Sequence, residues 1–144
     1  MIAPVIPPHA PLQELIHGPM PESRTVRPAD GDVVYGICTL GDGGRVLDKL
    51  GFAALDWRPG TRLQLTHLDA GVLLARPALD GHTVIAAGGY FRIPYRLRRQ
   101  VSLFVGDRTL LIGHCTHQQL LIHPPAALDE LCAASLRLLE AVRR

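Results

Sequence analysis

Lysine is almost missing from this chain: Lys49 is the only one, and the other fourteen basic residues are arginine. Together with abundant Ala, Gly, Pro and Leu, that bias is the composition of a GC-rich bacterial gene. Cysteine is scarce and odd in number. Cys38, Cys115 and Cys132 lie far apart with no CxxC, which excludes a disulfide framework and fits a reducing cytosol. No apolar run approaches the roughly 18 residues of a membrane helix, and no basic start leads into an apolar stretch, so a secretory leader is not expected. The net charge of +2 is too small to imply a partner. What is present is apolar residue, 47% of 144, enough for one domain with a buried core. A protein of the cytoplasm is expected.

Proline is unevenly spread. Seven of the twelve prolines fall before residue 30, among them Pro4, Pro7, Pro8, Pro11, Pro19, Pro21 and Pro28. Proline lacks an N–H and blocks regular ladders, so residues 1–30 are expected to form an extended, flexible arm. Leu12, Leu15 and Ile16 could supply one docking turn within it. After residue 31, short apolar runs alternate with Gly and Asp turns. Strands are expected over Val33–Thr39, Arg62–His67, Val72–Ala75, Thr83–Ala87, Arg108–Gly113 and Gln119–His123.

These runs repeat. Gly44 falls on Gly89 at an offset of 45, Gly60 on Gly106 at 46, and Pro77 on Pro124 at 47. Self-similarity of this kind outranks any local motif. Two copies are too few for a solenoid and suit a duplicated module, 31–78 and 79–125, whose halves close one core. Residues 126–144 carry Leu128, Leu131, Cys132, Ser135, Leu138, Leu139 and Val142 near helical spacing. An amphipathic C-terminal helix is expected, packed on its own body or on a second chain.

The charge is also unevenly spread. Residues 88–108 hold Arg92, Arg96, Arg98, Arg99 and Arg108 against Asp107 alone, within the apolar framework of Phe91, Ile93, Leu97, Val101, Leu103 and Phe104, residues of the kind that fill a core. Pro94 suits the first turn of a helix. Such a helix places Tyr95, Arg98 and Arg99 on one broad side and Leu97 and Val101 on another. Arg92 alternates with Phe91 and Ile93 along a strand. The apolar residues thus anchor a rigid element from which guanidiniums project, and guanidinium forks suit phosphate oxygens and guanine edges. The plainer reading is a solvated basic face.

Gly89, Ile93-Pro94, Leu97-Arg98-Arg99 and Gly106-Asp107 resemble the AbrB/MazE/SpoVT superfamily. Its signature is a Gly-Arg strand, Ile-Pro, a helix with Leu-Arg-Arg, and a Gly-Asp turn into a hairpin. The first copy keeps Gly44-Arg45-Val46 and Trp57-Arg58-Pro59-Gly60. It has Asp48-Lys49 where Ile-Pro belongs and Phe52-Ala53-Ala54-Leu55 in place of Leu-Arg-Arg, while Tyr90 stands where the second copy's Gly-Arg arginine would be. The resemblance covers about residues 33–127. It implies a mainly β protein with short helices, a swapped-hairpin β-barrel of two ββαββ repeats (31–78 degenerate, 79–125 better kept) followed by the C-terminal helix. It implies a sequence-specific, nucleoid-associated bacterial transcriptional regulator contacting double-stranded DNA through Arg45, Lys49, Tyr90, Arg92, Arg96, Arg98 and Arg99. It implies no catalysis and no cofactor. The one-sided charge suggests a homodimer, with the C-terminal helix as its contact. The degenerate first copy keeps open an alternative: a protein-interaction module or antitoxin-like barrel that has lost or weakened DNA binding.

Other constellations are weaker. His114-Cys115-Thr116-His117 and His123 hint at metal but straddle an expected hairpin turn. Gly41-Asp42-Gly43-Gly44 lacks the Gly-Lys-Ser/Thr of a phosphate loop and reads as a tight turn. Cys38 reads as a small buried hydrophobe, and Trp57 as core under its turn.

Overall fold

The computed structural model describes residues 26–143. Most of the Pro-rich arm, including the docking turn expected at Leu12, Leu15 and Ile16, lies outside the described residues; 26–30 are exposed and irregular. The remaining elements, in chain order, are β1 (Val33–Thr39), β2 (Arg45–Val46), α1 (Lys49–Leu55), β3 (Arg62–Leu68), β4 (Val72–Pro77), β5 (Thr83–Val84), β6 (Phe91–Arg92), α2 (Tyr95–Gln100), β7 (Arg108–His114), β8 (Gln119–His123), α3 (Pro125–Leu131) and α4 (Ala133–Val142). One-turn 3₁₀ segments at Asp42–Gly44 and Asp69–Gly71 bridge β1 to β2 and β3 to β4. Among the described residues no helix is long and apolar enough to cross a membrane.

The protein is mainly β. Six antiparallel strands run in the order β1-β7-β8-β4-β3-β5, and β2 pairs with β6 in a separate ladder. Each half contributes strand, strand, helix, strand, strand, and the halves exchange partners: β1 of the first pairs with β7 of the second, and β5 of the second with β3 of the first. Val46 faces Phe91, 45 residues away, and Leu74 faces Leu121, 47 residues away. These separations match the offsets read from Gly44/Gly89 and Pro77/Pro124, so a pseudo-two-fold relation runs through both ladders.

Two expectations need correction, and the closed barrel is not shown. The hydrogen-bonded sheet does not close into a barrel among the described residues: β1 and β5 are its edges, and β2–β6 stands apart. The β2–β6 ladder has only two pairs; Ile93 N still donates to Gly44 O beyond them, and there β2 gives way to the 3₁₀ turn Asp42–Gly44. The strand expected over Thr83–Ala87 pairs only at Thr83–Val84. Beyond it, Ile85 N donates to Thr61 O and Ala86 N to Tyr90 O, as the chain turns tightly back. The C-terminal segment is two helices, broken at Cys132, whose ψ of 16° leaves the helical well. Pro125 opens α3 at a position where its missing N–H costs nothing.

Both halves fill one core, with Phe91, Ile93, Val101 and Leu103 in it as expected; Phe104, also expected there, is 62% exposed. Phe52 lies 6.0 Å from Trp57 and 5.7 Å from Phe91, ring centre to ring centre, joining first half to second. Gln118, at φ +56° between β7 and β8, ties them further. Trp57 Nε1 donates to its Oε1 at 2.8 Å, while its Nε2 donates to Leu55 O at 2.8 Å and Cys115 O at 3.0 Å. Cys38 is buried as expected, and burial pushes its thiol up from the ordinary value, keeping it a poor nucleophile.

His123, at the end of β8, is buried with Nδ1 lacking any hydrogen-bond partner. Burial holds its imidazole below the ordinary 6.5, outweighing the backbone hydrogen bond with Leu110 that raises it. The unfolded chain therefore binds this proton first as the pH falls. The neutral ring's contribution to stability is complete above 6.5 and is lost progressively below it. Urea midpoints at neutral and mildly acidic pH should show wild type losing up to about 1.4 kcal/mol per pH unit over this window, with His123→Leu markedly flatter. Parallel losses in the two proteins would show that His123 is not responsible.

Candidate nucleic-acid interface

The β2–β6 ladder places its side chains by strand alternation. Val46 and Phe91 point inward and are fully buried. Arg45 and Arg92 point outward and face each other directly across the ladder. Like charges opposed on neighbouring strands repel, and here Tyr90 lies between them. The Arg45 guanidinium carbon is 5.2 Å from its ring centre and that of Arg92 5.3 Å. Each cation gains from the negative π-face while keeping hydrogen-bond donors free.

A second cluster adjoins the first. On α2, Tyr95 stands three and four residues before Arg98 and Arg99, the spacing that brings helical side chains together. Its ring centre is 5.4 Å from the Arg98 guanidinium and 5.9 Å from that of Arg99. The two clusters meet over Gly43-Gly44 of the first half. A Cβ at Gly43 would lie 3.1 Å from Arg92 Nε, and one at Gly44 would lie 2.8 Å from Arg98 Nε and 2.5 Å from Ile93 O. Both glycines sit at positive φ, +70° and +83°. The stretch set aside in the sequence as a plain turn is therefore the bed on which second-half arginines lie.

Among the described residues, charged side chains pair within 4.0 Å at Arg58–Asp56, His114–Asp32 and Arg143–Glu140. None of these involves Arg45, Arg92, Arg96, Arg98, Arg99 or Lys49. Arg45, Arg92, Arg98 and Arg99 thus have no carboxylate within 4.0 Å among the described residues, and a cationic surface of this kind can attract an external anion.

The seven expected contact residues divide. Arg45, Tyr90 and Arg92 come together, and Arg98 and Arg99 lie beside them. Arg98 is half-buried and committed: its Nε donates to Ile93 O at 3.0 Å, while Ile93 N donates to Gly44 O at 2.9 Å. It positions the clusters as much as it offers charge. Arg96 lines a separate depression with Gln64, His82 and Leu97. Lys49 belongs to neither tyrosine cluster and lines a groove beside Trp57. Tyr95, placed on one side with Arg98 and Arg99 by its spacing but not counted among the seven, lies against both guanidiniums. The caps also shift the alignment of the halves by one: Asp48 caps α1 where Pro94 caps α2, so Lys49, Phe52 and Ala53 correspond to Tyr95, Arg98 and Arg99.

At the β7–β8 turn, His114 Nδ1 lies 3.2 Å from Asp32 Oδ2 and the His114 ring stacks on His117 at 4.4 Å. No group of three or more His, Cys, Asp or Glu converges on a metal position among the described residues. Comparison with family models, with curated proteins and with solved structures finds no match to this chain.

Proposed function

We propose that this chain is a sequence-specific DNA-binding transcriptional regulator of the AbrB-like type, its two halves forming an intramolecular counterpart of a swapped-hairpin barrel. The observation that carries the reading is the Arg45–Tyr90–Arg92 stack with Arg98 and Arg99 beside it, a cationic surface whose guanidiniums have no carboxylate within 4.0 Å among the described residues. The exchange of β1 and β5 between halves supports the architecture. Phosphate contacts would supply most of the affinity and make it steeply salt-dependent, with Arg45 and Arg92, the least encumbered, the first residues to make them; base contacts from the same surface would supply specificity. No catalysis and no cofactor enter this reading. The test is a titration of the full chain against a fluorescent duplex from its own upstream region, across a salt series and with competitor DNA. Tight binding that survives competitor supports the reading; binding equal for every duplex removes the specificity claim.

The cationic surface is one-sided, so two chains would be needed to meet a symmetric operator. The surface for that pairing is α4, none of whose residues is buried: Leu138 is 68% exposed and Leu139 64%. Sedimentation of wild type should give a dimer, and Leu138→Glu/Leu139→Glu a monomer that binds its operator about tenfold or more weakly. A monomeric wild type, with and without DNA, would refute the pairing. It would also favour the second reading, in which the exposed apolar residues of α4 recruit a different protein, as in an antitoxin-like module.

A further inference from the structure

The two halves treat the same position oppositely. In the second half, Arg98 lies across Gly44 and closes the space between α2 and the 3₁₀ turn. Its counterpart in α1 is Phe52, which turns inward and is buried against Trp57 and Phe91. No long side chain replaces Arg98 over Gly89, whose Cβ would meet only Leu47 Cδ1 at 3.8 Å. The space that an arginine fills on one side is an open groove of about 450 Å³ on the other, between α1 and the turn at residues 87–89.

The groove's chemistry is specific. Leu47, Phe52, Ala53 and Trp57 make it largely apolar. Asp56 lies at its edge, but its carboxylate is answered by Arg58 Nε at 2.9 Å. Lys49 remains, the chain's one lysine, with no carboxylate within 4.0 Å among the described residues. A concave apolar site of this size with one uncompensated cation at its edge matches an amphiphilic anion. We propose that this groove binds a small organic acid with an aromatic or aliphatic body, the hydrocarbon against Phe52, Ala53 and Trp57 and the carboxylate on Lys49.

The wall formed by the turn at residues 87–89 also supports Tyr90: a Cβ at Gly88 would come within 2.9 Å of the Tyr90 ring. An acid seated in the groove would press on the turn that carries the Arg45–Tyr90–Arg92 stack, making it an effector of DNA binding. That consequence rests on the DNA-binding reading; occupancy of the groove does not.

Trp57, the chain's only tryptophan, lines the groove and reports binding without DNA. The full chain would be titrated at constant ionic strength with 3-phenylpropionate and octanoate, each beside its neutral amide. At least one acid should give a saturable Trp57 response and bind about tenfold tighter than its amide, as a charge-assisted contact requires. Lys49→Gln should abolish that preference. Ala53→Phe, at an exposed position of α1, should weaken acid and amide alike. No saturable response to either acid, equal binding of acid and amide, or binding that survives Ala53→Phe in a folded protein would each overturn the proposal. An intact acid response with no change in DNA affinity would leave the site standing and remove only its effector role.

Discussion

Replacing Arg45 and Arg92 together by alanine is expected to lower affinity for the operator duplex by roughly two orders of magnitude at low salt. It should also reduce the slope of log affinity against log salt by about 2, one released counterion for each lost phosphate contact. The two guanidiniums face each other across a two-residue ladder whose other side chains are wholly buried. Their removal should therefore spare the fold and relieve repulsion, and thermal stability should hold or rise slightly. That combination, lost binding with retained stability, is what a site built for an external anion predicts. Arg76→Ala, on β4 and outside both tyrosine clusters, is the control and should change binding little. A double variant that binds as wild type does, or no worse than Arg76→Ala, would reduce the stack to ordinary surface. Arg98 is a poorer first target, because its Nε holds Ile93 O and its loss would mix affinity with stability.

Gly44→Ala should be the most damaging substitution in the Gly41–Gly44 turn. Its φ of +83° is one that L-residues adopt at a cost. The added Cβ would also lie 2.5 Å from Ile93 O, a backbone atom already bonded to Arg98 and unable to retreat cheaply. Strain and collision together should cost about 3 kcal/mol or more, lowering the thermal midpoint by roughly 10 °C. Gly60→Ala provides the comparison: its φ is +95°, but nothing lies within 4 Å of the new Cβ. Only backbone strain remains there, about 1–2 kcal/mol. Equal losses at the two sites would show that the approach of Gly44 to Ile93 is not tight. DNA binding by folded Gly44→Ala should also weaken, since the bed under Arg92 and Arg98 is displaced.

Strand identity was legible wherever local rules suffice. Val33–Thr39 and Gln119–His123 form with the bounds their apolar runs suggest, since strands of this kind are set by alternation and by the turns that flank them. The offsets of 45 and 47 between glycine and proline landmarks reappear as the pairings Val46–Phe91 and Leu74–Leu121, because a duplicated chain pairs its own copies through equivalent residues. The concentration of arginine near Pro94 and the inward turn of Phe91 and Ile93 were likewise local facts. The break at Cys132 was not legible, since neither glycine nor proline marks it; α3 follows the sheet while α4 does not.

Sequence alone thus determined most of the strands, the repeated order of elements and the basic second half, all consequences of residue type and spacing along one chain. Tertiary structure decided which arginines come together. Arg45 and Arg92 are 47 positions apart and meet only through the β2–β6 ladder. Arg98 turns onto a carbonyl because Gly44, from the other half, leaves room for it. Lys49 lies apart from those arginines, at the start of α1, lining the groove beside Trp57 where α1 carries Phe52 and α2 carries Arg98. Charge can be counted along a chain, but the direction of a guanidinium is set by whichever remote backbone atoms and rings surround it after folding.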